Sequence, residues 1–272
     1  MELTINNITK QYGNVTVLDD VSYRFTPGIY GILGANGAGK TTLFRIICGL
    51  MRANCGNIQY DHKDIALQAE YYRSILGFLP QDFRYYPDFT GLNFMMYIAS
   101  LKGLNGKIAK KRCLDLLIQV GLDDVKNKKI RKYSGGMKQR LAQAMINNPE
   151  ILILDEPTVG LDPKERVKFR KLISSFASEK IVLLSTHIVS DIEYIADEII
   201  ILKKGRIENT GTIRYLLKDI NKCVWECLVP EKEVNRIEQV YTVSNRKYGE
   251  DGVVLRLISR EKPFANAKQV DP

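Results

Sequence analysis

No apolar run in the chain approaches the roughly 18 residues that a membrane-spanning helix needs; ILIL and EIIIL are of strand length. The opening residues MELTINNITK lack a basic-then-apolar leader, so no secretory signal is expected and the chain should start and stay in the cytosol. A disulfide framework is not expected either, because Cys48, Cys55, Cys113, Cys223 and Cys227 include no C-x-x-C pair. Cys223 and Cys227 could share a strand face, but no His or carboxylate cluster nearby completes a metal site, and buried thiols are expected. Internal repeats and low-complexity tracts are absent.

The 272 residues, 45% of them apolar, suffice for one large α/β domain with a sizeable core plus a small appendage. The net charge of +9 is unevenly spread. Ten Lys/Arg face three Asp/Glu between Lys102 and Lys132, whereas from Leu216 onward ten basic residues face nine acidic ones. The excess sits around KIAKKR and KNKKIRK. A solvated helix face accounts for it; the sharper reading is a surface drawn to an anionic membrane leaflet. Nucleic acid ranks third, since no aromatics are interleaved there.

GANGAGKT, Gly34 to Thr41, follows the apolar run Ile29–Leu33 and opens a helix-like segment, Thr41–Ile47. Glycines there let the backbone curl so that several N–H groups point at one anion, and the helix start adds partial positive charge. Lys40 can reach outer phosphates, and the Thr41 hydroxyl can join the shell of a magnesium ion.

Around this loop, strands are predicted at Leu3–Ile8, Val15–Val17, Val21–Phe25, Ile58–Tyr60, Ile75–Leu79, Ile151–Leu154, Ile181–Leu184 and Glu198–Lys203. Helices are predicted at Leu92–Lys102, Ile108–Val120, Ser134 to about Asn147, Lys164–Phe176 and Asp191–Ala196. This alternation implies a mostly parallel sheet, with a helical lobe inserted between Gln81 and Lys132. Beyond Thr212, strands at Val224–Val229 and Val253–Ile258 and a helix near Lys232–Gln239 suggest a small β-rich module, with EKPFANAKQVDP as a frayed polar end. Asp155 and Glu156 follow ILIL directly. Carboxylates at the C-terminal end of a buried strand face the ligand in open α/β sheets, one able to hold magnesium and the next to orient or deprotonate water.

GANGAGKTT, the glutamine of FLPQDF, YSGGMKQR, ILILDEPTVGLDP and STH, in this order over about residues 1–215, resemble the nucleotide-binding subunits of ATP-binding-cassette (ABC) transporters. SGG with basic and polar residues after it, one short step before LDEP, is the most discriminating part. The resemblance implies an α/β phosphate-loop NTPase fold over residues 1–215: a mostly parallel core sheet, an antiparallel β subdomain and a helical signature lobe at about 82–148. The small C-terminal module would occupy residues 216–272.

Roles follow by the same resemblance, with ATP and Mg²⁺ as the implied cofactors. Tyr12 would stack on adenine. Gly34, Asn36, Gly37, Ala38, Gly39, Lys40, Thr41 and Thr42 would wrap the phosphates, with Thr41, Gln81 and Asp155 meeting the metal. Glu156 would act as general base, and His187 would contact the γ-phosphate. An ordinary turn tyrosine, a plain loop glutamine and a structural histidine are the alternatives for Tyr12, Gln81 and His187; His62 has no such context. Ser134, Gly135 and Gly136 would bind the γ-phosphate held by a second subunit, and Asp162 would lie in the loop crossing to it. That subunit could be a second copy or a paralogue.

Tyr133 in place of the family's usual Leu, Met137 where many members have Gln, and Ala35 in place of a common Pro remove no ligand group. The implied function is an ATPase, peripheral at the cytoplasmic face of the cell membrane, that energises a separate transmembrane permease. Export of drug, antibiotic or lipid-like substrates is the closest analogy. A cassette that gates a channel or sensor, and a soluble cassette acting on nucleic acid, are the rival readings; no nucleic-acid partner is expected.

Overall fold

The computed structural model describes residues 1–81, 85–101, 105–144, 149–177, 179–218, 221–249 and 251–271. They form two compact units, Met1–Thr210 and Gly211–Pro272. The helix ends expected at Lys102 and Asn147, and the lobe boundary at 82, lie outside the described residues.

Strand β1 (Leu3–Tyr12) buries Leu3, Ile5 and Ile8 and turns at Gly13 into β2 (Val15–Phe25). The two short strands expected here are one. The chain absorbs the polar Asp19–Asp20 pair, between the buried Leu18 and Val21, as a bulge at Asp20, which has φ 53° and whose N–H donates to the Thr9 hydroxyl. Strand β3 (Gly28–Leu33) then runs into α1 (Lys40–Ile47), and β4 (Cys55–Tyr60) and β5 (Lys63–Asp64) complete an antiparallel sheet of order β2-β1-β4-β5. Helix α2 (Ala69–Ile75) was not expected: Ile75 ends it, and β6 spans only Leu76–Leu79. Burial of Tyr72 and Ile75 on its inner side is what makes it a helix.

Helices α3 (Gly91–Leu101), α4 (Gly106–Gln119) and α5 (Gly135–Ala144) form a lobe with its own core, which includes Phe94, Met95, Cys113, Leu117 and Leu141. Gly121, at φ 66°, ends α4 as expected. Tyr133 is buried and donates its hydroxyl to the Val125 carbonyl at 2.8 Å, which is how the lobe accommodates a tyrosine there.

Strand β7 (Ile151–Asp155), helix α6 (Pro163–Phe176), β8 (Ile181–Thr186), β9 (Glu198–Lys203) and β10 (Arg206–Gly211) follow. The core sheet has order β10-β9-β3-β8-β7-β6, with β9, β3, β8, β7 and β6 parallel throughout. Every residue of β7 and β8 is buried, which explains their unbroken apolar runs. The helix expected at Asp191–Ala196 is instead a 3₁₀ turn, Val189–Asp191, followed by further turns. The buried Asp191 side chain is fixed by Thr158 and Arg166, which anchors the turn through its side chain rather than through a helical ladder.

The second unit holds α7 (Ile213–Leu216), β11 (Val224–Val229), α8 (Val234–Val240), β12 (Thr242–Gly249), β13 (Gly252–Ile258) and β14 (Lys268–Gln269). Its antiparallel sheet has order β12-β13-β11-β14. Val234 and Ile237 of α8 join Cys227, Val253, Leu255 and Leu257 in one core. The C-terminal segment is not frayed: β14 pairs with β11, Ala267 is buried, and the Phe264 ring meets Tyr241 edge-on at 5.6 Å.

Candidate functional site

The loop between β3 and α1 turns where only glycine fits. Gly37 has φ 81° and Gly39 has φ 106°, and a Cβ on Gly39 would lie 2.8 Å from the Val17 carbonyl oxygen. Ala35 to Thr42, with Val17, Gln81 and Glu156, line an open cleft of about 280 Å³. Among the described residues, the main-chain N–H groups of Asn36, Gly37, Gly39, Lys40 and Thr41 have no acceptor within the protein. A row of unpaired amides beside a buried lysine fits a polyphosphate.

Lys40 opens α1 and is buried. Its ammonium donates to the Gly34 carbonyl at 2.5 Å and the Ala35 carbonyl at 3.3 Å, and lies 3.2 Å from Glu156 Oε1. Glu156, just past β7, has φ 47° and is 6% exposed. Its other oxygen, Oε2, sits 2.9 Å from His187 Nδ1. The fold therefore gathers three residues from distant parts of the sequence, Lys40, Glu156 and His187, into one chain of polar contacts.

Behind them lie residues that sequence reasoning missed. The Ser185 hydroxyl donates to Asp155 Oδ1 at 2.6 Å and accepts from the Glu156 N–H at 2.9 Å, so it sets the Asp155 carboxylate and the Glu156 main chain relative to β8. Thr158 donates to the buried Asp191 at 2.5 Å, and Arg166 reaches both Asp191 oxygens at 3.4 Å. Ser185 stood in view in STH, two residues before His187, inside β8 where His187 lies just past its end. Thr158, Arg166 and Asp191 gave no local signal.

The other candidates are spread more widely. Asp155 is 1% exposed and does not line the cleft. Burial pushes the Cys48 thiol pKa up, and the Asp155 carboxylate adds to the shift. Tyr12 ends β1 half exposed, with its hydroxyl 3.0 Å from Met51 Sδ and the Lys10 ammonium 5.3 Å from its ring centre. Asp162 caps α6, accepting from the Glu165 N–H at 2.8 Å. Ser134 caps α5 through the Met137 N–H at 3.2 Å. Gly136 lies against Glu165 and lines a different concavity, with Arg140, Leu161 and Phe169. Ser134–Gly136 are thus not part of the cleft that holds the phosphate loop of the same chain.

Among the described residues no group of three His, Cys, Asp or Glu could hold a metal ion. The donor set at hand, a threonine hydroxyl, Gln81 and a nearby carboxylate, suits Mg²⁺ bound mainly through nucleotide phosphates and water.

The ABC transporter family matches residues 18–159. The ABC transporter ATP-binding protein YdbJ of Bacillus subtilis (strain 168) is 33% identical over 266 residues, covering 95% of this chain and 84% of its own. The Nod factor export ATP-binding protein I of Burkholderia orbicola (strain AU 1054) is 34% identical over 225 residues, covering 81% of this chain and 74% of its own. A solved dimeric ATP-binding cassette in a post-hydrolysis state, bound to ADP and Pi, superposes with a TM-score of 0.70 at 28% identity.

Proposed function

The chain belongs to the ABC transporter ATP-binding family, and from that premise we propose that it is the ATP-hydrolysing subunit of an exporter whose membrane-spanning part is a separate chain. The observation that carries this reading is the Lys40–Glu156–His187 constellation beside a loop of unpaired amides. Relatives named for Nod factor export support the direction of transport.

Glu156 is the base. In this structure its carboxylate is balanced by Lys40 and held by His187. Moving the Lys40 ammonium onto a phosphate frees Oε1 to take a proton from an attacking water, while His187 keeps the carboxylate aimed. Thr41, Gln81 and Asp155 are the residues that would hold Mg²⁺ brought in with the nucleotide, and the ion would supply neutralisation of charge on the phosphate oxygens. Tyr12 offers a ring to the adenine. Ser134, Gly135 and Gly136 face the nucleotide of a second ATP-binding subunit across a head-to-tail dimer, with Asp162 at the crossing loop. The superposed cassette is itself dimeric, which supports this arrangement.

No helix among the described residues is long and apolar enough to cross a membrane. A permease partner would hold the chain at the cytoplasmic membrane face, with the Gln81 region passing motion to it. Mass spectrometry of proteins that co-purify with the tagged chain from mildly solubilised membranes tests this. A stoichiometric multi-span protein is expected; recovery with ribosomes or repair proteins from the soluble fraction would overturn the transporter assignment.

A further inference from the structure

Helix α4 turns Ala109, Cys113 and Leu117 inward, leaving Lys107, Ile108, Lys110, Lys111, Arg112 and Ile118 exposed. Several other cations of the lobe are matched: Lys126 pairs with Asp123, Lys129 and Arg131 with Asp88, and Arg140 with Glu165. Among the described residues, Lys107, Lys110, Lys111 and Arg112 have no carboxylate in salt-bridge reach, and Asp115 is the one acid on the helix. Ile108, 63% exposed, stands among these cations, and Ile118, 60% exposed, stands about 9 Å farther along the helix, past Asp115.

Charge alone would suit any polyanion. Large apolar side chains exposed on the same helix as unpaired cations suit a surface that is both anionic and penetrable. No aromatic residue stands on α4 to stack a base.

We infer that the exposed face of α4 docks on an anionic lipid leaflet, its lysines and arginine over the headgroups and Ile108 and Ile118 set into the boundary beneath them. This goes beyond the transporter assignment, because it gives the chain its own affinity for lipid without a permease. It also leaves the nucleotide cleft free, since none of the six residues lines it.

Vesicle flotation of the full chain decides the matter, with phosphatidylcholine alone against phosphatidylcholine containing a quarter phosphatidylserine. Binding is expected to the anionic vesicles only and to weaken with added salt. The K107E/K110E/K111E/R112E variant should lose affinity by at least about a hundredfold, with basal ATP turnover unchanged. The I108N/I118N variant, its charge intact, should lose roughly tenfold. Equal flotation of the wild type and the charge-reversed chain would overturn the proposal. So would indifference to the isoleucine changes, or tighter binding to duplex DNA than to anionic vesicles.

Discussion

Glu156 holds a left-handed backbone angle, φ 47°, that a non-glycine residue adopts at a cost of about 1–3 kcal/mol. The Ser185 hydroxyl on its N–H, Lys40 on Oε1 and His187 on Oε2 hold it there. Glu156→Gln keeps the shape and removes the base. Steady-state turnover is expected to fall by about 10²–10⁴-fold, with ATP affinity, measured by calorimetry, retained. Ser185→Ala orphans a buried carboxylate oxygen and a buried N–H together. The expected loss is about 2–4 kcal/mol, read from the urea unfolding midpoint, together with reduced turnover because the Asp155 carboxylate and the Glu156 main chain lose their common anchor.

At the scale of elements, α2 is tied to α1 by one contact. Tyr72, buried, donates its hydroxyl to the Ile47 carbonyl at 2.9 Å. Burial pushes its pKa up, so the folded state holds the proton more tightly than the unfolded chain, whose tyrosines titrate near pH 10. The stabilisation is complete below about pH 10 and is lost as pH rises from there toward the folded value. Denaturation midpoints should therefore fall between about pH 9 and 11, less steeply in Tyr72→Phe. Burial also decided which elements were legible. The runs of β7 and β8 are apolar because both faces are covered, whereas β12, exposed along most of its length, shows no alternation and was missed. Its pairing comes from β13, which sequence periodicity cannot display.

At the scale of the whole molecule, Ser134–Gly136 stand apart from the cleft of the phosphate loop, and Gly136 lines a separate concavity of the same chain. A head-to-tail pair makes each active site from two chains, which predicts complementation. Lys40→Ala and Ser134→Arg chains should each be inactive alone. Mixed in equal amounts, they should regain turnover from about a quarter of the sites, because half the dimers then carry one intact composite site. No recovery on mixing would show that each chain works by itself.

The sequence by itself determined the phosphate loop, the acidic pair after β7, the family and the alternation of strands and helices. Those features are local, since a glycine turn, a lysine at a fixed offset and a buried apolar run are each written in neighbouring residues. Tertiary structure alone decided that Glu156 is clasped between Lys40 and His187, and that Ser185 holds the Asp155 carboxylate and the Glu156 main chain together. It also decided that Asp191 is a buried anchor rather than part of a helix, and that the C-terminal segment pairs into a sheet. Each of these depends on contacts between residues far apart in the chain. Around the site such contacts are set by how parallel strands bring their C-terminal ends to one edge, and in the second unit by the antiparallel β11–β14 pairing; no short window of sequence contains both partners.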